Sequence, residues 1–106
     1  MAQFDVHRNP GQHRERIPYV VVVQSAVFDG YRRRVVVPLV KKADFRTVPH
    51  ARFNPSFTVK GAAVVLHPLE IVSVPVDKLG KAVASLTAHG GAIIDALDDL
   101  LTRVYG

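Results

Sequence analysis

The chain has 106 residues, enough for one domain with a real core but near the size at which a second copy helps cover apolar surface. Apolar residues make up 48% and charged residues 22%, which argues against disorder, and no apolar run nears the ~18 residues of a membrane-spanning helix. Without cysteine there are no disulfides or thiolate metal sites, and Met1-Ala-Gln-Phe-Asp5 is no secretory signal, so the expected location is the cytoplasm.

In chain order, Gln3–Val6 reads as a short first strand, followed by a polar loop from Asn9-Pro10-Gly11 through Arg16. Tyr19–Leu39 holds two β-branched runs around Asp29-Gly30, the residue chemistry of a tight hairpin turn. Four consecutive valines from Val20 to Val23 fit a strand covered on both faces. Arg32, Arg33 and Arg34 open the second strand, and Pro38 is expected to close it or mark a sheet edge. Residues 41–56 show no sustained period and read as a long loop with at most a helical turn. Phe57–Leu66 is a second hairpin candidate turning at Lys60-Gly61, and Ile71–Val76 a further strand with Pro75 at an end or edge.

The period then changes. Lys78–Leu86 reads as a helical turn or short helix, separated by His89-Gly90-Gly91 from an amphipathic helix. There Ile93, Ile94, Leu97, Leu100, Leu101 and Val104 form an apolar stripe, with Asp95, Asp98 and Asp99 as its solvent face. The expected fold class is mainly β: about five antiparallel strands capped by a C-terminal α-helix, one domain over residues 1–106.

The net charge of +5 is unevenly spread. Residues 1–60 hold eleven Lys/Arg against Asp5, Glu15, Asp29 and Asp44, which fits either a solvated basic surface or an acidic partner. No phosphate-cradling loop, dinucleotide motif or nucleophile elbow is present, so no cofactor is implied. His7, His13, His50, His67 and His89 lack metal-ligand spacing, and Ser25, Ser73 and Ser85 have no base beside them. No catalytic or metal-binding residue is therefore expected. Arg32 and Arg34 would share one strand face and Arg33 the other, which divides a possible phosphate-binding stripe.

The order of segments resembles the CcdB family, the toxin half of toxin–antitoxin pairs. The resemblance is carried by Gln3-Phe4-x-Val6, Val23-Gln24-Ser25 with Val27-Phe28 after it, and Arg33-Arg34-x-Val36-x-Pro38-Leu39. It continues through Ser73-Val74-Pro75-Val76, Leu79-Gly80, Val83-x-x-Leu86 and the terminal helix, covering essentially the whole chain. The resemblance implies a small, partly open SH3-like barrel, a two-fold homodimer and no enzymatic activity. It further implies a toxin that binds the DNA gyrase A subunit and traps its cleaved-DNA intermediate, neutralised by a CcdA-like antitoxin with a disordered tail. Two alternatives are a CcdB-fold protein that binds antitoxin without poisoning gyrase and an RNA-cleaving toxin on the same barrel, as in the MazF family.

Carried onto this sequence, the gyrase-binding residues are Arg103, Val104, Tyr105 and Gly106, with Val27 and Phe28 beside them. Family toxins finish in Trp-Gly-Ile, whereas this chain has no Trp and ends Arg103-Val104-Tyr105-Gly106. In one register Tyr105-Gly106 stands for Trp-Gly; in the other Arg103, Val104 and Tyr105 replace the tripeptide. The antitoxin-binding residues are expected among Arg8, Arg14, Arg16, Lys41, Lys42 and Arg46. The dimer interface is expected to include Gln3, Phe4, Ile93, Leu97, Leu100 and Leu101, with the Ile71–Val76 strand. No direct sequence-specific nucleic-acid binding and no membrane partner are expected.

Overall fold

A computed structural model describes residues 2–45 and 50–102. Among them, seven strands form one antiparallel sheet that curls into a nearly closed barrel, followed by one α-helix. The strands are β1 Asp5–Arg8, β2 Tyr19–Val22, β3 Arg33–Lys41, β4 Ser56–Val59, β5 Ala62–Leu66, β6 Val72–Pro75 and β7 Ala84–Ser85. The order across the sheet is β4-β5-β3-β2-β1-β7, with β6 pairing separately to β3.

β3 is the organising strand. One edge pairs with β2 through Val22↔Val36 and Tyr19↔Leu39. The other serves two partners in succession, β6 along Arg33–Val36 and β5 along Leu39–Lys41. Pro38 thus lies inside the strand, not at its end. Its carbonyl accepts from His67 N, and in an antiparallel strand a residue's N and C=O face the same edge. The missing N–H therefore faces the gap between β6 and β5 and removes no bond from the β2 ladder.

The valine run behaves as its composition dictates. All four residues of β2 are buried, with Tyr19 and Val21 facing the main core and Val20 and Val22 a smaller cluster with Val36 and Leu79. The Lys60-Gly61 turn also forms as expected, both residues having positive φ, +50° and +81°, between β4 and β5. Asp29-Gly30 does not make the tight turn its composition invited. Ten residues, 23–32, separate β2 from β3, and they include a 3₁₀ turn at Ala26–Phe28. The first strand starts two residues later than expected, because Phe4 adopts φ +70° in a turn. Lys78–Leu86 contains no helix; after a 3₁₀ turn at Val76–Lys78 it runs irregularly into β7, which pairs with β1. Buried His7 in β1 anchors that segment, its Nδ1 donating to Gly80 O at 2.8 Å.

The helix α1, Gly90–Thr102, buries Gly90, Ile93 and Ala96 at a three-residue interval, with Leu97 packed beside them. Ala96 was absent from the expected stripe because small residues carry little hydrophobic signal. Ile94 and Leu101 lie on the exposed side. Gly90 allows the helix to start directly against Phe4: a Cβ there would lie 2.6 Å from the Phe4 ring. Gly90→Ala should consequently destabilise the fold by about 1–3 kcal/mol through overpacking, although alanine favours helices. Urea unfolding should show the lowered midpoint; an unchanged or raised one would mean that Phe4 moves freely.

Candidate functional site

Three surfaces carry the candidate residues. The first is the connection between β2 and β3. Ser25 accepts from Val27 N and opens the 3₁₀ turn, so Val27 and Phe28 project outward, 83% and 48% exposed. Tyr31 joins them, 68% exposed, its ring centroid 5.9 Å from that of Phe28. Solvent-facing aromatic side chains next to each other are a poor arrangement for solubility and a good one for a contact.

Beneath this loop lies Arg34, which is buried, so the phosphate-binding stripe weighed for the arginine run loses its third member. Its guanidinium donates to the carbonyls of Asp29 at 2.6 Å and Arg33 at 3.0 Å, and also to Tyr31 O. Asp29 Oδ1 is 3.7 Å from Nε and supplies the opposite charge. Arg33 turns the other way and bonds β6, donating to Ser73 Oγ and Ser73 O at 2.7 Å each. The tripeptide is thus one buried structural cation, one cross-strand clamp and an exposed Arg32.

The second surface is a groove on the outer face of β3. One part, about 460 Å³, has Val20, Val36, Val72 and Val74 in its walls and Lys78 at its rim. The other, about 620 Å³, adds Val40, Phe45 and Leu69, with His13, Arg16, Asp44 and Glu70 around it. Ile17, Pro38 and Val72 line both, so the two parts adjoin at these residues. Of the residues expected to bind antitoxin, Arg16 reaches this groove. Arg8, Arg14, Lys41 and Lys42 are exposed elsewhere on the surface, although Lys41 N bonds Arg16 O at 2.8 Å and brings the two segments together. Arg46 lies outside the described residues. The groove itself escaped sequence reading because its walls come from segments as distant as Ile17 and Val74.

The third surface is the outer side of α1. Arg52 reaches it from the loop before β4, with Nε 3.0 Å from Asp99 Oδ1 and a terminal nitrogen 4.0 Å from Asp95 Oδ1. Asp95 and Asp99 are one turn apart and so present two carboxylates to one guanidinium. The Asp99 side chain is only 14% exposed, which corrects its reading as solvent face; Asp98 does remain exposed. Among the expected interface residues, Phe4 and Ile93 sit in the chain's own core, and Leu97 and Leu100 are partly buried. Gln3 donates to Val23 O, and Leu101 is 69% exposed. Arg103, Val104, Tyr105 and Gly106 lie outside the described residues.

The described residues hold no cluster of three His, Asp or Glu able to bind a metal, and no helix long and apolar enough to cross a membrane. The model of the family described as CcdB protein matches residues 3–103. The chain belongs to the CcdB family. It is by that membership a toxin of toxin–antitoxin type, and the match takes in every strand and all of α1. No curated protein matches the CcdB-family chain sequence to sequence.

The Arg52 clamp yields a measurement. A double-mutant cycle with Arg52→Ala and Asp99→Ala should give a coupling of about 0.5–1 kcal/mol, the range of a half-exposed pair. Raising the salt concentration should shrink it. A coupling near zero at low salt would leave the loop unattached to the helix.

Proposed function

We propose that this protein poisons DNA gyrase by binding its A subunit and trapping the cleaved-DNA intermediate, without catalysing a reaction itself. The observation that carries this reading is the family match over residues 3–103 together with a strongly exposed Val27-Phe28 pair. Tyr105 and Gly106, with Arg103 and Val104, complete the contact. Tyr105 in place of tryptophan keeps an aromatic face for a cation and gives up area worth ~1 kcal/mol.

The toxin acts as a homodimer in the cytoplasm. Exposed Ile71 and Val72 at the β6 edge, and Ile94 and Leu101 on α1, leave apolar surface that a second copy would cover. α1 also touches the Pro68–Glu70 turn, which precedes that edge. Gln3, Leu97 and Leu100 flank the interface, and Phe4 and Ile93 support it from beneath. The neutralising partner is a CcdA-like antitoxin whose acidic tail gains structure in the groove above β3, drawn by Arg8, Arg14, Arg16, Lys41, Lys42 and Arg46.

The deciding experiment is DNA linearisation by gyrase in the presence of the purified protein. Full-length protein should give linear DNA that depends on gyrase, and deletion of residues 104–106 should abolish it while the barrel stays folded. Tyr105→Ala should weaken the effect and Tyr105→Trp should keep or strengthen it. No linearisation by the full chain would remove the gyrase reading. Light scattering should report a dimer at micromolar concentration, and Leu101→Asp should shift it toward monomer. A monomeric unmodified protein would defeat the dimer.

A further inference from the structure

The Gln24-Ser25 and Arg33-Arg34 pairs are part of the resemblance to the family, yet none of these four residues has a contact role in the reading above. Arg34 is too deeply buried to touch a partner, and Gln24 and Ser25 are half-buried. Their hydrogen bonds converge instead on the connection between β2 and β3. Gln24 Nε2 donates to Phe28 O at 3.0 Å, and its Oε1 accepts from Val35 N at 3.1 Å. Phe28 N bonds Ser25 O, Asp29 N bonds Ala26 O, and Tyr31 N bonds Phe28 O, all at 3.0–3.1 Å. Arg34 takes up the carbonyls of Asp29, Tyr31 and Arg33, and its charge faces Asp29.

A ten-residue connection held this way loses little further entropy on binding, because its backbone is fixed beforehand. We infer that Arg34, with Gln24 and Ser25, is the positioning residue of the contact loop, and that Tyr31 is a contact residue alongside Val27 and Phe28. The occupant is the gyrase A subunit, so the contact part rests on the function proposed above; the framing part does not. The fork of Arg34 is essential to it: lysine keeps the charge but cannot reach several divergent carbonyls from one planar group.

The test uses the full chain in three variants, Arg34→Lys, Gln24→Ala and Tyr31→Ala. Amide hydrogen exchange at Phe28, Asp29 and Tyr31 is compared with that at Val21 and Val37, and gyrase-dependent DNA linearisation is titrated in parallel. In Arg34→Lys the loop amides should exchange on the order of tenfold faster while Val21 and Val37 stay protected. The concentration needed for linearisation should rise by about the same factor. Tyr31→Ala should show that functional loss with the loop still protected, a split that a merely structural role would not produce. Should Arg34→Lys fail to fold, Gln24→Ala decides the framing, since it removes a surface-side donor and acceptor from the same loop. Loop amides as protected as in the unmodified chain would overturn the framing, and full activity of Tyr31→Ala would overturn the contact. If the unmodified protein does not act on gyrase, the function reading and the Tyr31 contact fall together. Faster loop exchange in Arg34→Lys would then still uphold the framing.

Discussion

Proline at position 38 removes one donor from the longest strand, and the sheet is arranged around that gap. β3 pairs β2 along Val36–Leu39 on one edge and divides the other between β6 and β5, with Pro38 where the division falls. A strand with two partners on one edge bends the sheet, because each partner leaves along its own direction. β6 ends its pairing at Val36↔Val72, and β5 takes up the same edge from Leu39. The groove is lined from both sides of that division, by Val72 and Val74 of β6 and by Pro38 and Val40 of β3.

The second constraint is a buried cation. A guanidinium removed from water is costly unless it finds acceptors and a counter-charge; here its terminal nitrogens bond three backbone carbonyls and the Asp29 carboxylate lies 3.7 Å from Nε. The dependence is mutual: these carbonyls make burial of Arg34 tolerable, and Arg34 in turn satisfies them. A loop that carries Val27, Phe28 and Tyr31 outward would otherwise collapse inward to hide them. Burial of one charge thus keeps apolar surface exposed, which is an unusual use of a core position.

Legibility of the sequence followed the range of the interactions involved. Lys60-Gly61 was readable because a two-residue turn depends on the local φ preference of those two residues and little else. Asp29-Gly30 carries the same local signal, but Arg34 and Gln24 impose a wider loop through contacts several residues away. The valine run was readable from composition, whereas the position of Pro38 inside β3 was not, since it depends on which partners meet the strand. Helix α1 was readable from its period. Its true inner face was only partly so, because Gly90 and Ala96 are buried through close approach and not through hydrophobicity. The acid pair Asp95 and Asp99 gave no sign of Arg52, which arrives from a segment without regular period. In the candidate site, Val27 and Phe28 were found by resemblance. Tyr31 has no such local signal: it joins Phe28 only through the shape of the loop between them.

The helix shows how these constraints meet in one element. Its inner face is fixed by the core through Ile93 and Ala96, and its flank by Arg52 on Asp95 and Asp99. Its remaining side, with Ile94 and Leu101, is therefore held at a defined angle although nothing in the described chain covers it. The β2–β3 loop is built on the same plan, with its backbone tied from below and its apolar side chains left outside. Apolar surface that is rigid cannot rearrange to protect itself, so its free energy is lowered only by another molecule. Rigid apolar surface of this kind suits a protein built to hold a partner.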